Sequence, residues 1–283
     1  MANWHNHGHL VDTRPYRPPH RYDMKKIESA QQGNSPGLTR NIAQFWSQNV
    51  NAERIHGRAV TDVERGEDKY FLDLEEQRYR THYHIQPWLD ELEPDKEILE
   101  IGCGVGMDSS QIAKRGLHLS AMDLTFVGVS TAKSRFLKDK LQGRFLVGDA
   151  CSLPFSDSSF DYVYSFGVLH HTADTEKSID EVYRVLQPGG QARIMLYNRR
   201  SLNELVHRLT RVPFEEKDAL CPVVRRFTKK EVLQLFREFS EVNMDLEFVF
   251  GEGYGAVYRM LPRWLYRALS GSVGWHIMIT ATK

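Results

Sequence analysis

A glycine-rich turn constrains this chain more than any other segment. Residues 100–106 read EIGCGVG and stand between a short apolar run and a helical pattern. Glycines at alternate positions permit a tight turn and let a ligand approach bare backbone, while the amides of the following helix point towards it. The third glycine of a dinucleotide-binding GxGxxG pattern is missing, because Met107 and Ser109 stand where it would fall. The turn therefore favours a ligand without a pyrophosphate, and Glu100 favours a cationic one.

Beyond Pro94, short apolar runs alternate with helical stretches, which is typical of an α/β domain with a parallel sheet. Seven strands are predicted, at Glu97–Ile101, Leu117–Met122, Gly143–Val147, Phe160–Ser165, Gln191–Tyr197, Asn243–Phe250 and Trp275–Ala281. Helices are predicted at Ser109–Lys114, Gly128–Lys140, Thr175–Leu186 and Thr228–Phe239.

Three segments of different composition predict the domain organisation. Residues 1–40 are polar and rich in proline and histidine, which indicates a flexible arm. Residues 41–94 have helical periodicity and are interpreted as an N-terminal helical lid that also contacts substrate. Residues 95–283 form the ligand-binding domain, with insertions at about 201–227 and 251–274.

Composition excludes several classes of protein. Lysine plus arginine and aspartate plus glutamate both number 37, so no global field attracts nucleic acid, and none is expected as a partner. Three cysteines without ligand-like spacing and the absence of a signal-peptide pattern favour the cytoplasm. No apolar run of about eighteen residues exists, so no integral membrane association is expected. The four histidines within residues 1–20 lack a completing ligand, and no metal site is predicted.

Two carboxylates follow the next two predicted strands. Asp123 ends the second strand, where it could accept hydrogen bonds from both hydroxyls of a ribose. Asp149 follows the third strand and could accept from an adenine amino group. The alternative is that each merely caps the helix that comes next, but their order after the glycine turn favours a nucleoside site.

Four motifs in order then resemble a known family. EIGCGVG, MDLT, GDACSLPFSDSSFDYVYSFGVLHH and VYRVLQPGGQARIMLYN are similar to motifs of the class I S-adenosylmethionine-dependent methyltransferases, in particular the small-molecule branch called methyltransferase type 11. The resemblance is tight over residues 97–197 and weak beyond them. It implies a Rossmann-like, mostly parallel seven-stranded sheet whose last strand is antiparallel, with S-adenosylmethionine as the cofactor.

The resemblance also implies roles for particular residues. The glycine turn would face the methionine moiety, Asp123 the ribose, and Asp149 the adenine, with neighbouring residues completing the site. The cofactor-binding residues predicted in this way are Glu100, Gly102, Gly104, Gly106, Asp123, Leu124, Asp149, Ala150 and Phe166.

Two histidines after the fourth predicted strand are the candidate catalytic residues. Methyl transfer from a sulfonium mainly requires alignment of donor and acceptor, and a hydroxyl or protonated amine also requires a base. His170 and His171 titrate near neutrality and would lie at the sheet edge, although either could simply shape the turn. Asp174 could orient His171 or cap the helix that begins near Thr175.

The acceptor is expected to bind segments outside the four motifs. The lid is placed at Tyr70–Tyr83, and the many aromatic residues suggest an apolar or aromatic small molecule. Arginines on Leu202–Phe214 and Val257–Leu269 form a basic amphipathic surface, either a solvated face or one that touches anionic membrane or a lipid-like acceptor. The predicted substrate-binding residues are Tyr70, Tyr79, Tyr83, Tyr197 and Arg199.

The sequence predicts a methyltransferase that acts on an oxygen, nitrogen or carbon atom of such a metabolite, as a monomer or homodimer. A first alternative is a non-catalytic regulatory relative that binds S-adenosylmethionine or S-adenosylhomocysteine. A second is a nicotinamide-dependent oxidoreductase, against which the glycine spacing and the Leu186–Gly190 turn argue.

Overall fold

The computed structural model describes residues 36–50, 63–210, 221–250 and 260–283. The four histidines predicted to lie in the N-terminal arm, and parts of both predicted insertions, fall outside these described residues.

A seven-stranded sheet runs through the described chain in the order β3-β2-β1-β4-β5-β7-β6. Strands β1 to β5 pair in parallel, whereas β7 pairs antiparallel with both β5 and β6. This confirms the predicted Rossmann-like sheet with its antiparallel last strand. The strands are β1 (Glu97–Ile101), β2 (His118–Asp123), β3 (Arg144–Val147), β4 (Phe160–Phe166), β5 (Leu186–Tyr197), β6 (Glu241–Glu247) and β7 (His276–Thr282).

Two strands differ from their predicted bounds by more than one residue, for local reasons. Strand β6 ends at Glu247 rather than at Phe250, because Phe248 adopts a positive φ of 61° that interrupts extended backbone. Strand β5 begins at Leu186, which pairs with Phe160, and regular pairing with β4 resumes only at Gln191. Pro188, Gly189 and Gly190 lie in this irregular stretch, where the sequence predicted a turn over Leu186–Gly190.

Helices flank the sheet on both faces. Those described are α1 (Pro36–Gln48), α2 (Asp68–Thr81), α3 (Ile85–Asp90), α4 (Met107–Lys114), α5 (Phe126–Asp139), α6 (Thr175–Val185), α7 (Leu202–Thr210), α8 (Lys229–Leu235) and α9 (Arg263–Val273), with a 3-10 turn at Leu169–His171. Helix α1 begins at Pro36, before the predicted arm boundary at residue 40, because proline is well suited to a first helical position. No helix among the described residues is long and apolar enough to cross a membrane.

Alternation along the strands builds a core on each face of the sheet. Leu99 and Val163 lie in one buried cluster, with residues of α6 and α8, whereas Ile98 and Tyr164 lie in the cluster on the opposite side. Successive strand residues point to opposite faces, so a sheet covered on both sides buries both sets. The covered faces leave the strand ends as the place for a site.

Candidate cofactor site

A cavity of about 170 Å³ opens where β1, β2 and β4 end. Strand β1 lies between β2 and β4 in the sheet. The chain passes from β1 to β2 on one side and from β4 to β5 on the other, and a crevice forms at such a switch point, outside the carboxyl ends of the strands. Predicted residues that line the cavity are Glu100, Gly102, Gly104, Asp123, Leu124, Asp149, Ala150, Phe166 and His171. The structure therefore brings most of the predicted cofactor residues together.

Two glycines of the turn have different surroundings. Gly104 has a φ of +50°, lines the cavity, and a Cβ added there would meet no atom within 4 Å. Gly106 is the left-handed N-cap of α4, and an added Cβ would lie 2.9 Å from the Cβ of Ala132 on α5. Gly106 does not line the cavity. Its lack of a side chain allows α4 and α5 to pack closely.

The carboxylate of Asp123 is held by backbone at the end of β2. Its Oδ2 accepts a hydrogen bond from the Gly104 amide at 2.9 Å, and Oδ1 accepts from the Thr125 amide at 2.8 Å and hydroxyl at 2.7 Å. Burial raises the pKa of Asp123, and these hydrogen bonds oppose the rise. Thr125, rather than Asp123, caps helix α5 by accepting from the Gly128 amide. Asp123 thus holds the glycine turn in place at the wall of the cavity.

Asp149 lies across the cavity under helix α1. Its Oδ1 accepts from the Cys151 amide at 2.9 Å, and its Oδ2 accepts from the Thr39 hydroxyl at 3.4 Å. Thr39, Ile42 and Trp46 of α1 all line the cavity. The predicted lid segment, residues 41–94, includes Ile42 and Trp46, although Tyr70–Tyr83 was favoured within it, whereas Thr39 lies before the segment.

Glu100 is a buried acid at the base of the cavity. It accepts a hydrogen bond from the Ser109 hydroxyl. Burial, together with the nearby negative charge of Asp108, raises the pKa of Glu100 to about 8. A cationic group that entered the cavity beside Glu100 would favour its ionised form.

A buried ion pair that the sequence did not reveal joins α2 to α4. Arg78 donates from Nε to Asp108 Oδ1 at 2.8 Å and from Nη2 to Oδ2. The hydroxyls of Tyr79 and Tyr164 each donate to Asp108 at 2.9 Å. Burial alone would raise the pKa of Asp108, but Arg78 and the hydrogen bonds keep it below its ordinary value. Both Arg78 and Asp108 line the cavity.

His171 is the one predicted catalytic residue that lines the cavity. Its Nδ1 lies 2.7 Å from the carbonyl oxygen of Val223, and a carbonyl can only accept, so Nδ1 carries the proton. In the neutral ring the lone pair is then on Nε2. The ring of Trp46 packs edge-on at 5.1 Å. Asp174 accepts from the Lys177 amide at 3.0 Å, so it caps α6 instead of orienting His171.

His170 points away from the cavity into the core. Its side chain has no exposed surface, and its ring centroid lies 3.9 Å from that of Tyr197. Tyr197 in turn stacks on Trp275 at 4.4 Å. These contacts indicate that His170 supports the 3-10 turn that carries His171.

None of the five predicted substrate residues lines the cavity. Tyr70 is buried in an apolar cluster, and Tyr79 donates to Asp108. Tyr83 donates to Glu247 at 3.1 Å, Tyr197 stacks in the core, and Arg199 donates to the carbonyl of Arg226. Aromatic residues at helical spacing suit a core as well as a pocket, so sequence alone could not separate these roles.

Phe166 joins the cavity to a buried group of histidines. The guanidinium of Arg78 lies 5.1 Å from the centre of the Phe166 ring. Behind that ring, His84 Nε2 and His276 Nδ1 are 3.1 Å apart, so one of them donates and the other accepts. Burial lowers the pKa of His84 to about 3. Within the described residues, no cluster of three or more metal-ligating side chains could hold a metal ion.

Comparisons with known proteins identify a domain in this chain. Residues 99–194 match the family model described as a methyltransferase domain. The chain is similar to phosphoethanolamine N-methyltransferase 2 of Caenorhabditis elegans, with 33% identity over 38% of this chain and 25% of that protein. It is also similar to a Bos taurus protein named "Probable tRNA methyltransferase 9B", with 30% identity over 60% of this chain and 34% of that protein.

Solved structures share the fold. A Thermotoga maritima protein titled "SAM-dependent methyltransferase, possible histamine N-methyltransferase" superposes with a TM-score of 0.55 at 20% identity, over 76% of this chain and 97% of that one. This chain spans between a quarter and two fifths of the length of the curated relatives that it matches. The matched domain and the sheet topology together show that the chain contains a class I S-adenosylmethionine-dependent methyltransferase domain, whose cofactor is S-adenosylmethionine.

Proposed function

We propose that this protein transfers a methyl group from S-adenosylmethionine to an oxygen, nitrogen or carbon atom of a small, apolar or aromatic metabolite in the cytoplasm. The observation that carries the proposal is a single cavity lined by both Asp123 and His171. The same cavity thus offers a carboxylate for a ribose and a base for an acceptor.

The residues present fit the cofactor. Carboxylates suit hydroxyl and amino donors, and Asp123 and Asp149 supply one each. Open space at Gly104 admits a ligand against the backbone, and buried Glu100 suits an amino group or sulfonium. The cofactor supplies an activated methyl group, and the protein supplies alignment and exclusion of water.

His171 is proposed to accept a proton from the acceptor. Hydrogen bonding of its Nδ1 to Val223 fixes the tautomer in which Nε2 is basic. Trp46, Phe166 and Val168 line the same cavity and supply apolar surface for the acceptor.

Methylation of tRNA is a second candidate, favoured by the similarity to the Bos taurus protein over 60% of this chain. The arginines next to the site argue for a small acceptor instead. Arg225 donates to the carbonyls of Thr172 and Ala173, and Arg226 pairs with Glu204. Arginines engaged within the protein offer fewer contacts to phosphates.

The test is incubation of the protein and labelled S-adenosylmethionine with a small-metabolite extract and, separately, with total tRNA. The proposal expects S-adenosylhomocysteine and a metabolite heavier by one methyl group, both lost in His171→Ala. Label transfer to tRNA alone would support the second candidate. Donor binding without any transfer would support the non-catalytic regulatory alternative.

A further inference from the structure

Two helices that follow the matched residues 99–194 expose large apolar side chains to solvent. Helix α7 exposes Leu205 and Leu209, the latter by 75%. Met260, just before α9, is 81% exposed, and Trp264 on α9 is 72% exposed. Single exposed apolar residues are ordinary, but three on two helices and a fourth just before one of them mark a surface with a partner.

The two helices are neighbours with a common core. Leu202 of α7 packs with Leu261 and Leu269 against the same buried cluster, which contains Phe250 and Tyr266. Because these residues face inwards, the exposed residues of α7 and α9 lie on the outer sides of adjacent helices.

The same outer sides carry positive charge. Arg208, Arg263 and Arg267 are exposed beside the apolar residues. Glu204 is the one acidic residue on these two helices, and it is buried and paired with Arg226. We name this surface the edge patch, defined by Leu205, Arg208, Leu209, Met260, Arg263, Trp264 and Arg267.

The edge patch is at the same end of the sheet as the cofactor cavity. Tyr197 at the carboxyl end of β5 pairs with His276 at the start of β7. Helix α7 follows β5 and helix α9 precedes β7, so both lie beyond the carboxyl ends of the parallel strands. A surface bound to the edge patch would therefore lie on the cavity side of the molecule.

We propose that the edge patch docks on the surface of an anionic lipid bilayer. A tryptophan with leucine and methionine side chains suits the boundary between headgroups and acyl chains, and arginines beside them suit anionic headgroups. The absence of an exposed acidic residue on the two described helices makes the charge complementary to such a surface. Docking would hold the cavity side of the molecule close to the membrane, where apolar molecules collect.

Sedimentation with vesicles tests the proposal on the full chain without any acceptor. Vesicles of phosphatidylcholine alone are compared with vesicles containing about one third phosphatidylglycerol. The protein is expected to sediment with the anionic vesicles at low salt and to be released as salt rises, because screening weakens its attraction to the headgroups. Failure of the wild-type protein to bind anionic vesicles at low salt would overturn the proposal.

Matched variants distinguish binding through the edge patch from nonspecific binding to vesicles. Leu209→Gln with Trp264→Gln is expected to reduce vesicle binding at least tenfold, whereas Leu137→Gln, at another exposed leucine, changes nothing. Arg208→Glu with Arg263→Glu is expected to abolish the preference for anionic lipid, whereas Lys114→Glu with Lys133→Glu preserves it. Equal binding by patch and control variants would overturn the proposal.

Two further measurements distinguish lipid docking from self-association and from damage to the cofactor site. Light scattering after gel filtration would reveal a dimer that the patch variants abolish, and such a dimer without vesicle binding would assign the patch to self-association and overturn lipid docking. Affinity for S-adenosylhomocysteine is expected to be the same in all four variants, because none of the substituted residues lines the cavity. Loss of vesicle binding is thus separable from loss of the cofactor site.

Discussion

Arg78 on helix α2 and Asp108 on helix α4 form a buried bidentate ion pair at the wall of the cofactor cavity. The pair fastens the segment before the first strand to the helix that the glycine turn begins. Because Tyr79 and Tyr164 also donate to Asp108, each oxygen of its carboxylate accepts two hydrogen bonds from protein groups.

Removing one partner of this pair is expected to be costly. Arg78→Ala or Asp108→Ala should each lower the free energy of unfolding by about 3 kcal/mol, because the remaining charge is buried without its partner. The double variant should lose clearly less than the sum of the two, as measured by urea denaturation. The exposed pair of Arg115 and Asp90 is the control and should contribute less than about 1 kcal/mol. Strict additivity of the two losses would contradict the coupling.

The two glycines at 104 and 106 should fail in different ways when replaced by valine. Gly104→Val places its side chain in the open space of the cavity, so donor binding should be lost. The free energy of unfolding should fall by only about 1–2 kcal/mol, because of the positive φ. Gly106→Val drives its side chain into Ala132 and should destabilise the fold more strongly. Thermal unfolding and calorimetric titration with S-adenosylhomocysteine measure the two effects. A Gly104→Val protein with normal affinity would show that the turn does not contact the ligand.

Glu100 should make donor binding depend on pH. Its pKa of about 8 means that the ligand-free protein holds a proton there at pH 7, and a cationic ligand beside it lowers that pKa. Binding should therefore release up to one proton, and affinity should weaken by up to about tenfold for each pH unit below 8. Titrations in buffers of different ionisation enthalpy count the proton, and Glu100→Gln should abolish its release.

The same pKa predicts the stability of the ligand-free protein. The pKa of Glu100 is about 4.5 in the unfolded chain and about 8 in the folded protein. Below about pH 4.5 both states carry the proton, and the contribution of Glu100 to stability is most favourable there. That contribution falls as pH rises from about 4.5 to about 8, because only the unfolded chain then gains by losing the proton. Glu100→Gln should reduce that fall. Identical pH profiles for the two proteins would contradict the assignment.

His171→Ala should lower the turnover rate about 10²-fold or more while donor affinity changes little, because a base acts on the acceptor and not on the donor. His170→Ala is the contrasting variant: its ring packs on Tyr197, so stability should fall. Unchanged turnover in His171→Ala would make this histidine structural.

The sheet and the grouping of the candidate cofactor residues at its edge were predictable because local patterns determine them. Alternating apolar runs specify strands, and residues such as Asp123 that follow strands must lie at the sheet edge. The ion pair of Arg78 with Asp108 was not predictable, since thirty residues and a strand separate its members. The same holds for Thr39, whose place over Asp149 depends on how α1 packs.

The predicted acceptor residues show where sequence patterns are ambiguous. Tyr79 and Tyr83 occur at a helical spacing that would also suit a pocket, yet their hydroxyls donate to Asp108 and Glu247. Burial of a tyrosine requires a partner for its hydroxyl, and only the three-dimensional arrangement shows whether that partner is protein or substrate.

Calorimetric titration of S-adenosylhomocysteine into the wild-type protein, Asp123→Ala and the surface control Asp245→Ala tests the central claim most directly. One equivalent should bind to the wild-type protein and to the control. The affinity of Asp123→Ala should be at least about 100-fold weaker, because the ligand loses two hydrogen bonds to a charged carboxylate. No binding by the wild-type protein, or equal affinity in all three, would contradict a nucleoside site at the carboxyl edge of this sheet.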